Sequence, residues 1–273
     1  KFRSVPMEQL LKEAEGLVSN GVRELNLIAQ DTTRYGEDLY GEYKLPDLLT
    51  KLCKIEELKW IRILYCYPER ITDELLDVMA KEEKIVKYMD LPIQHCNGDI
   101  LKNMNRRGDA QSLRDLIEKI RNKIPDIIIR TTFITGFAGE TEEQFTELAE
   151  FANEIRFDRL GCFPYSEEEG TPAAKFENQV DEEIRQHRAD IIMQQQMIIS
   201  DENNHKLIGK IIEVVTEGFD RYGECYFGRS AADAPDIDGK IFFTSTDKKL
   251  YTGDFVKVRV SDVLDYDLIG ERI

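Results

Sequence analysis

The segment Ile127-Ile128-Ile129-Arg130-Thr131-Thr132-Phe133-Ile134-Thr135-Gly136-Phe137-Ala138-Gly139-Glu140-Thr141 holds the repeating unit of the fold. Its first six residues, 127–132, are β-branched or polar around a single arginine, which is strand composition. A turn with two glycines follows. Thr141 and Gln144 then make a capping-box pair that opens a helix to Arg156, each side chain accepting from the other's free backbone N–H. The same rhythm extends in both directions. Upstream, Leu10, Leu11, Ala14, Leu17 and Val18 keep helical spacing, with Ser4 placed to cap that helix and Asn20-Gly21 to end it. Strands read at 25–29, 60–65, 88–93 and 159–163, and helices at 45–53, 72–81, 99–104 and 113–123. Leu75, Leu76 and Met79 share one face of the 72–81 helix. Strands alternating with helices predict a parallel sheet with right-handed crossovers. The opening helix has no strand before it, so one strand is expected upstream. Six such units suit an open, partial βα barrel better than a closed barrel of eight.

After residue 180 the rhythm changes. Residues 181–204 read as one long connecting helix rich in Gln and Ile. Beyond Gly209, short β-branched or aromatic runs at 210–216, 224–227, 240–243, 255–260 and 268–273 are separated by glycines, and no helix fits. About five strands in so short a stretch predict a small closed β-barrel, since closure removes exposed sheet edges. The expected domains are therefore a partial barrel at 1–180, a connecting helix at 181–205 and a β-barrel at 206–273.

The chain has 273 residues, 41% of them hydrophobic and 33% charged, enough for a sizeable core. There are 53 acidic and 37 basic side chains, for a net charge of -16. That balance argues against a general nucleic-acid binder, which needs clustered cations, and suits a basic partner. No run reaches the length of a membrane helix and no apolar leader opens the chain. Because the first residue is Lys1, the natural start is expected upstream or the chain trimmed. Five cysteines in odd number and wide spacing read as reduced thiols in a cytoplasmic protein.

In parallel α/β proteins, chemistry gathers at the carboxyl ends of the strands. Those ends carry Gln30-Asp31-Thr32-Thr33, Tyr67-Pro68-Glu69-Arg70, Gln94-His95-Cys96-Asn97-Gly98, the 132–141 turn, and Pro164-Tyr165-Ser166. Gln and Asp can fix the amino acid or hydroxyl groups of a ligand. Gly136 and Gly139 either let the backbone approach a bulky cofactor or only make the turn into the capped helix. Five polar ends directed to one rim imply a site. His95-Cys96 lacks a further ligand at metal spacing and reads as a packed thiol beside a hydrogen-bonded imidazole. His187 and His205 are expected to face solvent, and Cys53, Cys66 and Cys225 to be packed thiols. A Walker loop, a nucleophile elbow and a His-Glu-x-x-His helix are all absent.

The same blocks resemble the radical SAM methylthiotransferases. Lys1-Phe2-Arg3-Ser4-Val5-Pro6-Met7 is similar to the run that closely follows that family's Cys-x-x-x-Cys-x-x-Cys motif. Gln30 to Gly36, Leu91 to Cys96 with Leu101 to Arg107, and Arg130 to Thr141 resemble its second, fourth and fifth strand ends, and the closing barrel resembles its TRAM domain. Ala29-Gln30-Asp31-Thr32-Thr33 is closer to the RimO type, which modifies an aspartate of a ribosomal small-subunit protein, than to the branch that modifies tRNA adenosine. From residue 206 onward ten basic side chains, Lys248 among them, face thirteen acidic ones, which agrees with a basic protein partner.

The resemblance implies two [4Fe-4S] clusters, S-adenosylmethionine, a reductant protein, and radical methylthiolation of an aspartate β-carbon. It also implies that the cluster ligands lie outside this chain, since the five cysteines are 13, 30, 66 and 63 residues apart. Gln30, Asp31, Gln94, Arg130 and Thr132 become candidates for polar contacts to cofactor or substrate. Gly136 and Glu140 fall in the adenosine-side motif, and Phe163 and Tyr165 are candidates for the adenine wall, with core packing the competing reading of Phe163. Tyr35 and Gly36 belong to a loop that covers the rim or touches substrate. A tRNA-modifying enzyme and a non-catalytic ribosome-docking adaptor are the alternatives. The chain alone, incubated with iron and sulfide, is expected to develop no [4Fe-4S] absorbance. A redox-active cluster spectrum would overturn this placement of the ligands.

Overall fold

The computed structural model describes residues 2–246 and 249–273. Lys1 of the opening run and Lys248 of the module's cations lie outside the described residues. The expected partial barrel is present. The strands β1 (Glu24–Leu27), β2 (Trp60–Ile63), β3 (Ile85–Asp90), β4 (Ile128–Thr135) and β5 (Arg159–Pro164) lie side by side in chain order, all parallel. Helix α1 (Met7–Ser19) precedes β1, and between the strands run α2 (Glu37–Tyr40), α3 (Leu45–Leu52), α4 (Asp73–Lys81), α5 (Gly98–Asn103), α6 (Ala110–Lys123) and α7 (Glu142–Ile155). Helix α8 (Glu182–His205) leads to β6 (Ile211–Asp220), β7 (Cys225–Ser230), β8 (Ile241–Thr244), β9 (Phe255–Leu264) and β10 (Asp267–Arg272), which close in the order β10-β8-β7-β6-β9.

One face of the sheet carries the main core. Ile61, Ile63, Met89, Ile129 and Phe133 are buried against Leu49, Leu76, Met79, Ile117, Leu148 and Phe151 from the helices. The opposite, concave face is covered along its amino-terminal half by the β-module. There Trp60, Leu64, Val86 and Tyr88 pack with Val215 and Ala234, and the Trp60 ring meets Phe255 edge-on at 4.8 Å.

This interface is also charged. Arg62 of β2 is completely buried; its Nε lies 3.2 Å from Glu24 Oε1 and its Nη1 donates to the Ala231 carbonyl at 2.9 Å. Arg229 of β7 pairs with the other Glu24 oxygen and, through Nε, with Glu217 at 2.7 Å. Arg159 Nη2 donates to Asp233 at 2.8 Å, and the Tyr88 hydroxyl donates to Asp238 at 2.7 Å. A guanidinium in the middle of an apolar strand is tolerated only when its charge is met, and carboxylate and carbonyl from two modules meet it here.

Several boundaries differ from the sequence reading. β3 begins at Ile85 rather than 88 and stops before Pro92, which has no N–H to donate. Lys87, within the strand, turns its ammonium back to the carbonyls of Met79 and Glu82 at the end of α4. β1 starts at Glu24 and ends at Leu27, leaving Ile28 and Ala29 exposed. Ser4 does not cap α1, whose N-cap position is Pro6. The Ser4 hydroxyl accepts from the Gly36 N–H at 3.0 Å and the Ser4 N–H donates to Asp38 at 2.9 Å, tying the leading segment to the 30–44 loop. The Thr141–Gln144 capping box is formed, and His187 and His205 are exposed.

Replacing Arg62 by Ala removes the buried cation but leaves Glu24 in place, so urea unfolding should show a loss of about 3 kcal/mol. Trp60, the sole tryptophan, lies at the interface, and its emission should shift to the red in the variant.

Candidate functional site at the strand ends

β4 alternates half-buried and buried residues. Ile129, Thr131, Phe133 and Thr135 therefore face the helices, and Arg130, Thr132 and Ile134 face the concave side. Beyond Pro92 the chain returns to the sheet for one residue. The Gln94 N–H donates to the Thr132 carbonyl at 2.9 Å, and the Ile134 N–H donates to the Gln94 carbonyl at 2.8 Å. Gln94 has a φ of +69°, a left-handed conformation that a non-glycine residue adopts only when its surroundings impose it. Its side-chain Oε1 is buried with no hydrogen-bond donor. An acceptor in that state is a site waiting for a donor.

His95 turns inward and is fully buried. Its Nδ1 accepts the Asn97 N–H at 2.9 Å, which puts the proton of a neutral ring on Nε2. That nitrogen is 3.4 Å from Glu140 Oε2, within ion-pair reach but without hydrogen-bond geometry. Cys96 is packed beside it, as the sequence suggested. Glu140 is buried too. It accepts from the Gly136 N–H at 3.0 Å and from Arg188 of α8 at 2.8 Å. Its carboxylate braces the 136–140 turn from beneath.

Gly136 has a φ of +68°, and a Cβ there would come within 2.3 Å of Arg185 Cγ. The glycine is required by the approach of α8. Arg185 in turn holds the Tyr165 carbonyl at 3.1 Å and Glu167 at 2.7 Å. Tyr165 packs its ring on Phe137 at 4.9 Å, in a small apolar cluster below the turn, with its hydroxyl buried and unpartnered. Phe163 is different. It stands on the concave side next to Arg130 and Gly161 and is 56% exposed, so it is not a core residue.

Arg130 is bound up internally, with Nη1 on Asp90 at 2.8 Å and Nε 3.8 Å from Asp238 of the β-module. Asp90 also accepts the Tyr65 N–H at 2.9 Å, where the backbone again has positive φ. Asp31 is held by Arg70 at 2.7 Å and by the Thr33 hydroxyl, whereas Gln30 beside it is exposed. The Tyr35 hydroxyl donates to the Val5 carbonyl at 2.9 Å, and Gly36, at a φ of +93°, leaves no room for a side chain beside Lys44. That loop borders a groove of about 430 Å³ along β1, lined by Phe2, Val5, Leu27, Ile28 and Asp31.

The structure thus brings Gln94, Arg130, Thr132 and Phe163 to the concave rim. Glu140 and Tyr165 lie below the turn, and Tyr35, Gly36 and Asp31 lie at the β1 end. The sequence reading placed Arg70 at a strand end without giving it a partner, and it missed the roles of Asp90, Arg185 and Arg188. An acidic residue closing an apolar strand was a usable signal for Asp90. The arginines of α8 gave none, because that helix reads as polar throughout.

A model of the Radical SAM superfamily matches residues 1–152. The chain belongs to this superfamily. A TRAM domain model matches residues 208–273. Among curated proteins, the chain is 54% identical over 272 residues to the ribosomal protein uS12 methylthiotransferase RimO of Desulforamulus reducens, covering 99% of this chain and 61% of that protein. It is 50% identical to the protein of the same name from Desulfitobacterium hafniense, covering 100% and 61%. The chain therefore spans about three fifths of the length of these relatives. Among solved structures, coproporphyrinogen III oxidase (HemN) of Escherichia coli, a radical SAM enzyme, superposes with a TM-score of 0.53 at 18% identity, over 72% of this chain and 46% of that one, a likeness of fold.

Among the described residues no group of three or more His, Cys, Asp or Glu side chains could hold a metal ion. Burial pushes the Cys96 and Cys162 thiols up to about 12 and raises Cys66 as well, so all three stay protonated at neutral pH. Among the described residues no helix is long and apolar enough to cross a membrane. With a thiol reagent at mildly alkaline pH, Cys225 should react first in the folded chain, and Cys66, Cys96 and Cys162 only after denaturant is added.

Proposed function

We propose that this chain is the cofactor-cradling and substrate-docking portion of a methylthiotransferase that acts on an aspartate of ribosomal protein uS12. Identity of 54% over 99% of the chain to a protein bearing that name carries the proposal. The concave rim supports it, since it offers the unsatisfied Gln94 acceptor and an exposed ring at the place where radical SAM chemistry is expected. The cluster ligands are placed in polypeptide outside this chain, because the five cysteines here are widely dispersed. Bound S-adenosylmethionine with its iron–sulfur cluster would supply one-electron hydrogen abstraction, and an external protein the electron.

The chain's own residues bind and orient. The unpartnered Gln94 oxygen accepts from the cofactor's amino group, and Thr132, on the strand paired to it, adds a hydroxyl. Phe163 gives a flat apolar wall for the purine. Arg130, clamped by Asp90 and Asp238, contributes a fixed positive charge beside that wall and cannot swing out to chelate. Asp31, locked to Arg70, leaves Gln30 as the free group at the β1 end. The 136–140 turn is held from below by Glu140, so its backbone is set before ligand arrives and little ordering remains for binding to accomplish.

In the full-length enzyme, Gln94→Ala should weaken equilibrium binding of S-adenosylmethionine by about tenfold, the worth of one buried hydrogen bond. Thr132→Ala should weaken it by a similar or smaller factor. Unchanged affinity in both would remove these residues from the site. Methylthiolation of tRNA with uS12 left unmodified would overturn the choice of substrate.

A further inference from the structure

After β3 the chain returns to the sheet at Gln94 through a three-residue turn. The His95 N–H donates to the Ile93 carbonyl at 2.9 Å, with Gln94 at the apex and a φ of +69°. A γ-turn with positive φ at its apex is rare and strained for a residue that carries a side chain. Ile93 and His95 flank the apex, and both are buried. Their burial opposes relaxation of the turn.

Ile93 packs in the main core like any apolar residue. His95 does something else. An imidazole taken wholly out of water costs free energy at each unpaired nitrogen, a cost that an apolar residue would avoid. Its ring instead spans two fixed partners. Nδ1 accepts the Asn97 N–H at 2.9 Å. Asn97 is itself committed, since its Oδ1 accepts from the Asp99 and Ile100 N–H groups that open α5 and its Nδ2 donates to Glu147 of α7 at 2.7 Å. On the other edge, Nε2 faces Glu140 Oε2 at 3.4 Å. The same oxygen accepts the Gly136 N–H at 3.0 Å, and Arg188 takes the other one at 2.8 Å. One carboxylate oxygen therefore stands between the imidazole and the 136–140 turn.

We infer that His95 is a positioning residue for the cofactor. It holds Gln94 in the strained turn and, through Glu140 Oε2, sets that turn against the 136–140 segment. The inference rests on the proposed function, since Gln94 is the group through which His95 acts. The proton on Nε2 is directed at a carboxylate in a dry interior, where the attraction survives a poor hydrogen-bond angle. The two turns that border the site are thus set against each other before ligand arrives, and binding does not have to order them separately.

His95→Asn keeps an acceptor for the Asn97 N–H and removes the donor that faces Glu140. His95→Gln, one carbon longer, returns an amide nitrogen to the neighbourhood of Nε2. In the full-length enzyme, equilibrium binding of S-adenosylmethionine should weaken about three- to tenfold in His95→Asn and stay within about twofold of wild type in His95→Gln. In a Gln94→Ala background, His95→Asn should cause less than about a twofold further loss, because effects exerted through one group do not add. Hydrogen exchange of the ligand-free enzyme should quicken in segments 93–97 and 136–140 of His95→Asn but not in β2 or β6, which a general loss of packing would also loosen. If His95→Asn fails to fold, His95→Gln carries the test, and a loss in it as large as that of Gln94→Ala would overturn the inference. Losses that multiply in the double variant, or wild-type binding by His95→Asn while Gln94→Ala is weakened, would overturn it and leave the proposed function standing. Full affinity in Gln94→Ala would remove Gln94 from the site, and the inference with it.

Discussion

The architecture depends on the burial of Arg62. An isolated guanidinium inside a sheet costs several kcal/mol in lost hydration, and a single carboxylate rarely recovers it. Here Glu24 from the neighbouring strand, the Ala231 carbonyl and the Tyr88 ring, 4.7 Å away, surround the cation together. Glu24 is shared with Arg229, which is shared with Glu217. The sheet supplies half of this network and the β-barrel the other half. Either half alone would expose buried charge, so the concave face is satisfactory only with the module seated.

The site inherits its rigidity from that arrangement. Arg130 is fixed between a sheet carboxylate and a module carboxylate, and Asp90 carries the restraint on to the Tyr65 N–H at the next strand end. On the other side, Arg185 and Arg188 of α8 hold the 136–140 turn and the segment after β5. The groups left without partners, Gln94 Oε1 above all, are therefore held in place by neighbours that are fully engaged. Small binding motifs gain most when their supporting residues are already committed.

Much of this was legible in the sequence, and the limits have identifiable causes. Helical and strand periodicity located the five strands and the longer helices of the partial barrel and the five strands of the closing module, because burial of one face imposes the spacing, but not the four-residue α2, which buries no residue. Lys87 hid the start of β3, since the destination of its ammonium is a tertiary fact. Ser4 looks like a cap because local sequence favours one, yet a more distant N–H at Gly36 takes its hydroxyl. The rim candidates Gln94 and Thr132 followed from their position at strand ends. Glu140 was assigned to the cofactor motif, but its carboxylate is consumed by α8, whose polar composition concealed two buried arginines. Arg130 likewise needed Asp238, more than a hundred residues away, before its restraint was visible.

Helix α8 is a single rod of 24 residues, about 36 Å long, with its first turns pressed onto Gly136 and its last turn feeding the barrel. Domain shuffling usually works by cutting at connectors of this kind. Here the connector presses on the 136–140 turn, and the transplanted piece would arrive without the carbonyl and carboxylates that Arg62, Arg130 and Arg159 require. The two folds are therefore coupled through their packing, and altering loop residues in place would disturb that coupling less than exchanging the module.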